Sequence, residues 1–213
     1  MRRLIGGLLI LTLAVLGIFS LNQFNTAAQD QSERREQIVA QLTDDDIRVL
    51  FNFAESTTEN RWQIVNDDVM GGISTSEWAI SDEGFAVFTG NVSLENNGGF
   101  ASVRSPQVGE DLSGYAGIVL RVRGDGQSYV VNLWPGAPRR GNLRYQAEFT
   151  PTDDWQLVAL PFAEMRPQVF GLELPNAGPL APSEIAYMGV LISDKQEGDF
   201  RIEIEWVGVY SAS

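Results

Sequence analysis

Apolar residues recur at every second position along most of this chain. Phe200, Ile202, Ile204 and Trp206 alternate with Arg201, Glu203 and Glu205. Tyr145, Ala147 and Phe149 alternate with Arg144, Gln146 and Glu148, and Ile118, Leu120 and Val122 with Val119, Arg121 and Arg123. Successive side chains of an extended strand point to opposite faces, so a period of two buries one face and wets the other. Arg48–Phe53, Gly84–Phe88, Asn91–Glu95, Phe100–Arg104, Ser128–Trp134, Trp155–Leu160 and Ile185–Ile192 are further strand candidates. No long segment of helical period separates them. Many short half-buried strands predict an all-β fold, an antiparallel two-sheet β-sandwich with Phe200, Ile202, Ile204 and Trp206 on one inward face.

The turn residues refine this picture. Asn96, Asn97, Gly98 and Gly99 lie between two strand candidates, and an Asn-Gly pair supplies the positive φ angles of a tight hairpin turn. Gly124, Asp125 and Gly126 predict a second tight connection, into the strand that begins at Ser128. Residues 135–142 read as a loop. Residues 163–184, with Pro167, Pro175, Pro179 and Pro182, read as a long irregular connection crossing between the sheets.

Composition narrows the chemistry. The chain of 213 residues has neither cysteine nor histidine. Disulfides, thiolate metal sites, cysteine nucleophiles and the Ser-His-Asp triad are thereby excluded. The sole lysine is Lys195, and every other basic residue is arginine. No cofactor is implied. A net charge of −13 repels nucleic acid, which is not an expected partner.

Met1, Arg2 and Arg3 precede a run from Leu4 to Leu21 without a charge, followed by the small residues Ala27 and Ala28. Residues 1–28 therefore read as a signal peptide or, if uncleaved, an N-terminal membrane anchor. With the positive end inside, the rest of the chain is expected to be exported: periplasmic or lumenal, or tethered to the outer face of a bacterial inner membrane. Residues 29–46 read as a polar linker and 47–213 as the β-sandwich domain.

Five ordered blocks in that domain resemble the NADH:ubiquinone oxidoreductase complex I intermediate-associated protein 30 family. The first runs from Trp62 to Ser74 and carries Asn66, Asp67, Asp68, Gly71 and Gly72. The second, Gly90 to Arg104, is the most specific. Arg121–Gly126, Trp155 with Leu160–Phe162, and Ser193–Phe200 follow in family order. The resemblance implies a galactose-binding-like jelly roll and a chaperone-like assembly factor for a membrane-associated protein complex. The implied partner is a protein, in a respiratory or photosynthetic complex, and no catalytic residues are carried over.

Individual residues leave alternatives open. Asn66, Asp67 and Asp68 beside Gly71 and Gly72 could ligate Ca²⁺ or simply make Asx turns. Asp67 or Asp68 with Glu95 could form the carboxylate pair of a glycoside-active enzyme. Trp134, next to Pro135, could stack on a sugar, as in a carbohydrate-binding module of the cell envelope. Arg104 and Arg123 end strands and could clamp an anion or pair with Asp125 or Asp194. The leading expectation is a non-catalytic binding site in which Asp67, Asp68 and Asn96 meet where two loops converge. Arg104 is its counter-charge.

Overall fold

The computed structural model describes residues 26–55, 62–136 and 143–211. Thirteen strands follow in order: β1 Ile47–Asn52, β2 Gln63–Ile64, β3 Thr75–Ile80, β4 Ala86–Val92, β5 Ala101–Arg104, β6 Gly117–Gly124 and β7 Tyr129–Trp134. They continue with β8 Arg144–Phe149, β9 Gln156–Pro161, β10 Arg166–Val169, β11 Leu172–Glu173, β12 Tyr187–Ile192 and β13 Gly198–Tyr210. One sheet has six strands in the order β3-β4-β13-β6-β9, with β1 also against β13. The other has seven, β11-β10-β8-β7-β12-β5-β2. Every pairing is antiparallel. The expected two-sheet sandwich is what forms.

The core is the apolar face of each alternation. Phe88, Ile118, Leu120, Val122, Phe200, Ile202 and Ile204 come from the six-stranded sheet. Val103, Tyr129, Val131, Leu133, Tyr145, Met188, Val190 and Ile192 meet them from the seven-stranded sheet. Trp62 and Trp78 stack at 4.9 Å among Phe51, Phe53 and Phe88.

Strand β13 departs from its expected pattern at one point. Its register against β6 slips between Ile204 and Trp206, a β-bulge. An extra residue reverses which side chains face inward. Val207 and Val209 therefore take the inward positions, and Trp206 is only half-buried. The bulge also changes the neighbour: β13 pairs with β4 up to Ile204 and with β1 from Trp206 onward.

Two expected tight turns are crossovers. β4 lies in the six-stranded sheet and β5 in the seven-stranded one, so residues 93–100 pass between sheets rather than closing a hairpin. Asn96 and Asn97 take the left-handed conformation, at φ 56 and 59, while Gly98 is extended at φ −70, ψ −160. The β6–β7 link crosses likewise. Asp125 anchors it by accepting from the Arg201 N–H at 2.7 Å and the Tyr129 hydroxyl at 3.1 Å. In the stretch 163–184 the β10–β11 hairpin precedes the irregular part.

The outward face of the six-stranded sheet is not uniformly wet. Glu203 is 6% exposed and accepts from Arg123 and Arg201, each at 2.5 Å. The Arg123 guanidinium lies 4.8 Å from the centre of the Trp155 ring. Arg123 thus pairs with Glu203, not with Asp125 or Asp194.

The polar stretch expected as a linker has regular structure. Residues 26–41 are helical and mostly exposed, and a 3-10 turn, Asp44–Asp46, follows. Ala, Gln, Glu and Arg are good helix formers, and no glycine or proline interrupts them here.

Candidate functional site

The first block folds around one carboxylate. After β2 the chain makes a 3-10 turn, Asp67–Met70, stopped by Gly71 at φ 92. Asp67 points inward and is fully buried. One oxygen accepts the Ser74 N–H at 2.9 Å. The other accepts the Ser74 hydroxyl at 2.5 Å, the Gly99 N–H at 2.6 Å and the Phe100 N–H at 3.2 Å. The Ser74 hydroxyl oxygen in turn accepts the Ser93 N–H at 2.9 Å. Asp67 therefore ties its own turn to the crossover between β4 and β5.

Two glycines are required by this clamp. A Cβ on Gly72 would lie 2.4 Å from the Asp67 carboxyl, and one on Gly98 would lie 2.6 Å from Oδ2. Burial alone would push the Asp67 carboxyl above its ordinary range. The donors from Ser74, Gly99 and Phe100 outweigh it and hold the carboxyl below its ordinary range.

The two loops do meet, as expected, but Asp67 does not line an open site. Its oxygens face N–H and O–H donors, which a cation cannot replace without orphaning them. Among the described residues no three acidic side chains converge as metal ligands. Buried and occupied, Asp67 is equally unsuited to pairing with Glu95 in glycoside chemistry. Asn66 accepts the Ser76 hydroxyl at 2.8 Å and is half-buried. Asp68 and Asn96 are exposed.

The clamp leaves apolar side chains outside. Val69 is 60% exposed, Met70 53% and Ile73 50%. Leu94 and Ile64 are exposed beside the same loops. Their exposure is not legible from sequence, because apolar residues in a loop are expected to turn inward. The available signal was an apolar pair inside a Gly- and Asp-rich loop that has no strand period.

Arg104 and Trp134 lie elsewhere, on the outward face of the seven-stranded sheet. Trp134 ends β7 and is 5% exposed. Its ring lies over Gly189, where an added Cβ would be 3.2 Å from it, and the Arg104 guanidinium sits 5.3 Å above its centre. That covers the ring, so Trp134 is no open platform for a sugar. Arg144, which the sequence reading overlooked, shares this face. Burial pulls both guanidinium groups below their ordinary range, and the charge of Arg144 pulls Arg104 down further.

Residues 51–204 match the sequence profile of complex I intermediate-associated protein 30 (CIA30). The chain belongs to this family. Among curated CIA30 relatives, the Caenorhabditis elegans protein, described as probable and mitochondrial, is 27% identical over 89% of this chain and 62% of its own length. The Mus musculus protein is 28% identical over 77% of this chain and 56% of its own. The chain thus spans little more than half the length of these relatives.

The fold is shared more widely. The family 11 carbohydrate-binding module of a Clostridium thermocellum cellulosomal cellulase superposes with a TM-score of 0.59. It is 13% identical, over 78% of this chain and 95% of the module. A second structure of that module, in complex with a mixed-linked tetrasaccharide, gives 0.58 at 13% identity, over 78% and 96%. Such likeness establishes the jelly-roll sandwich and carries no ligand with it.

The relatives correct the expected location. The worm, mouse and fly CIA30 proteins are named mitochondrial, which overturns an exported, periplasmic or lumenal placement. The expectation rested on the run from Leu4 to Leu21, which lies outside the described residues. Among the described residues no helix is long and apolar enough to cross a membrane.

Proposed function

We propose that this CIA30 domain is a non-catalytic, chaperone-like assembly factor that binds a protein component of respiratory complex I through the loop Asp67–Ile73. The relatives named for complex I intermediates supply the class of partner. The observation that carries the reading is the division of labour in that loop. Its acid is locked inward by four hydrogen bonds while Val69, Met70 and Ile73 stand in water. Exposed apolar side chains on a fixed backbone suit a protein contact, since little conformational entropy is lost when they dock. Asp67, buried and hydrogen-bonded, is not free to act as a proton donor or nucleophile.

Site-specific photocrosslinking tests this. A crosslinker at Met70 should form an adduct with a complex I subunit or assembly intermediate. The same group at Glu77, exposed on edge strand β3, should not. Adducts of equal yield from both positions, or none containing a complex I component, would contradict the reading.

A further inference from the structure

We propose that Arg104, over the Trp134 ring, and Arg144, on the same outward face, form a receptor for a carboxylate carried by an acidic segment of a protein partner. This deepens the protein-binding reading above and rests on it for the kind of partner.

Strand register brings these residues together. Arg104 on β5 is opposite Gly189 on β12, Gly189 is opposite Asn132 on β7, and Asn132 is opposite Gln146 on β8. Trp134 and Arg144 are each two residues further along the same outward face. Gly189 has no side chain to block the gap, so the Trp134 ring reaches across β12 to lie beneath Arg104.

The electrostatics of the pair are incomplete. Among the described residues neither guanidinium has an acidic partner, although the chain carries a net charge of −13. The Nε atoms of both arginines are buried without a hydrogen-bond partner. Both guanidinium groups are half-buried, and the charge of Arg144 acts unfavourably on that of Arg104. Contact with Trp134 offsets part of this for Arg104, but among the described residues no ring contact serves Arg144. A carboxylate between them would accept N–H bonds from both and cancel the repulsion. Guanidinium matches that planar group with paired bonds.

The surroundings favour a polypeptide as its carrier. Gln63 on edge strand β2 lies opposite Arg104. Phe100, clamped by Asp67, is four residues from Arg104, about 13 Å along an extended chain. One protein footprint of ordinary size would therefore cover both the exposed Val69, Met70 and Ile73 and the arginine pair. A free phosphate would meet the arginines alone.

The test uses the full chain with a labelled oligoglutamate peptide, an oligoglutamine peptide of equal length and inorganic phosphate. Fluorescence anisotropy should show saturable oligoglutamate binding, roughly tenfold tighter than oligoglutamine despite the repulsive net charge. Arg104→Gln with Arg144→Gln should abolish that preference without lowering the melting temperature, because a repulsion has been removed. Arg104→Lys should retain part of it, having kept charge but not the fork. Val69→Ser with Met70→Ser and Ile73→Ser should leave oligoglutamate binding intact, which separates this site from the apolar loop. Equal binding by wild type and the double arginine variant would overturn the proposal. Phosphate binding without peptide binding would overturn the assignment to an acidic polypeptide.

Discussion

Replacing Asp67 by Ala should lower the unfolding free energy by about 3–5 kcal/mol, more than a typical buried side-chain truncation at the edge of a sandwich. The carboxylate satisfies three backbone N–H groups and one hydroxyl. Removing it leaves buried donors without partners and cuts the tie between the Asp67–Met70 turn and the Gly98–Phe100 segment. Asp67→Asn keeps the shape but turns an amide N–H₂ toward other donors, so it should cost nearly as much. Gly98→Ala should also destabilise, because its Cβ would collide with Oδ2. Urea melts followed by tryptophan fluorescence measure all three. A loss below about 1 kcal/mol for Asp67→Ala would mean that the clamp contributes little.

The same clamp sets the response to acid. Burial pushes the carboxyls of Asp67 and Glu203 up, but hydrogen bonds to Asp67 and the arginines beside Glu203 bring both below their ordinary range. A carboxyl depressed in the folded state stabilises fully above its unfolded value, about 4, and loses that contribution as pH falls through the folded value. Stability should therefore be flat near neutrality and fall below about pH 4, with a shallower fall in Asp67→Ala.

Ile202→Ala should cost about 3–4 kcal/mol, as lost burial plus the cavity left in a core that cannot fully collapse. Ile202 is completely buried between the sheets, with Phe88 opposite it on β4 and Gly124 opposite it on β6. Its neighbour Glu203 faces the other way, and alternation alone would make it nearly neutral. The structure gives a different expectation. With only 6% exposure and two arginines on it, Glu203→Ala should cost about 1–2 kcal/mol, discounted because Arg201 remains largely in water. Equal losses at the two positions would contradict the inward–outward assignment of β13. A neutral Glu203→Ala would contradict the buried ion pair.

Alternation made the sandwich legible because burying one face of a strand is a local property. Phe200, Ile202 and Ile204 are inward as their spacing requires. The bulge after Ile204 was missed because Trp206 continues the apolar period of Ile202 and Ile204 in sequence, although Val207 and Val209 take the inward positions. Of the Asn97-Gly98 pair expected to supply positive φ angles, only Asn97 does, preceded by Asn96, while Gly98 is extended. A positive φ does not say which sheet the next strand joins, so a crossover was read as a hairpin.

The site was legible in part for a similar reason. Two polar, glycine-rich loops were expected to converge, and they do. Sequence could not show that Asp67 spends all its acceptor capacity inside the fold, because the donors at Gly99 and Phe100 are thirty-odd residues away. Nor could it reveal Arg144 near Arg104. That meeting depends on the order β5-β12-β7-β8, in which chain neighbours are not sheet neighbours.

On the function proposed above, this domain assists complex I assembly through the exposed apolar side chains beside the Asp67 clamp. Native-gel quantification of complex I and its partial assemblies tests it most directly, in source cells lacking this protein and resupplied with full-length variants. Without the protein, partial assemblies should accumulate and mature complex I should fall. Wild type should restore it. The variant carrying Val69→Ser, Met70→Ser and Ile73→Ser should not, though it accumulates to wild-type level and melts at the wild-type temperature. Normal complex I in the cells lacking this protein, or full rescue by that variant, would contradict the account.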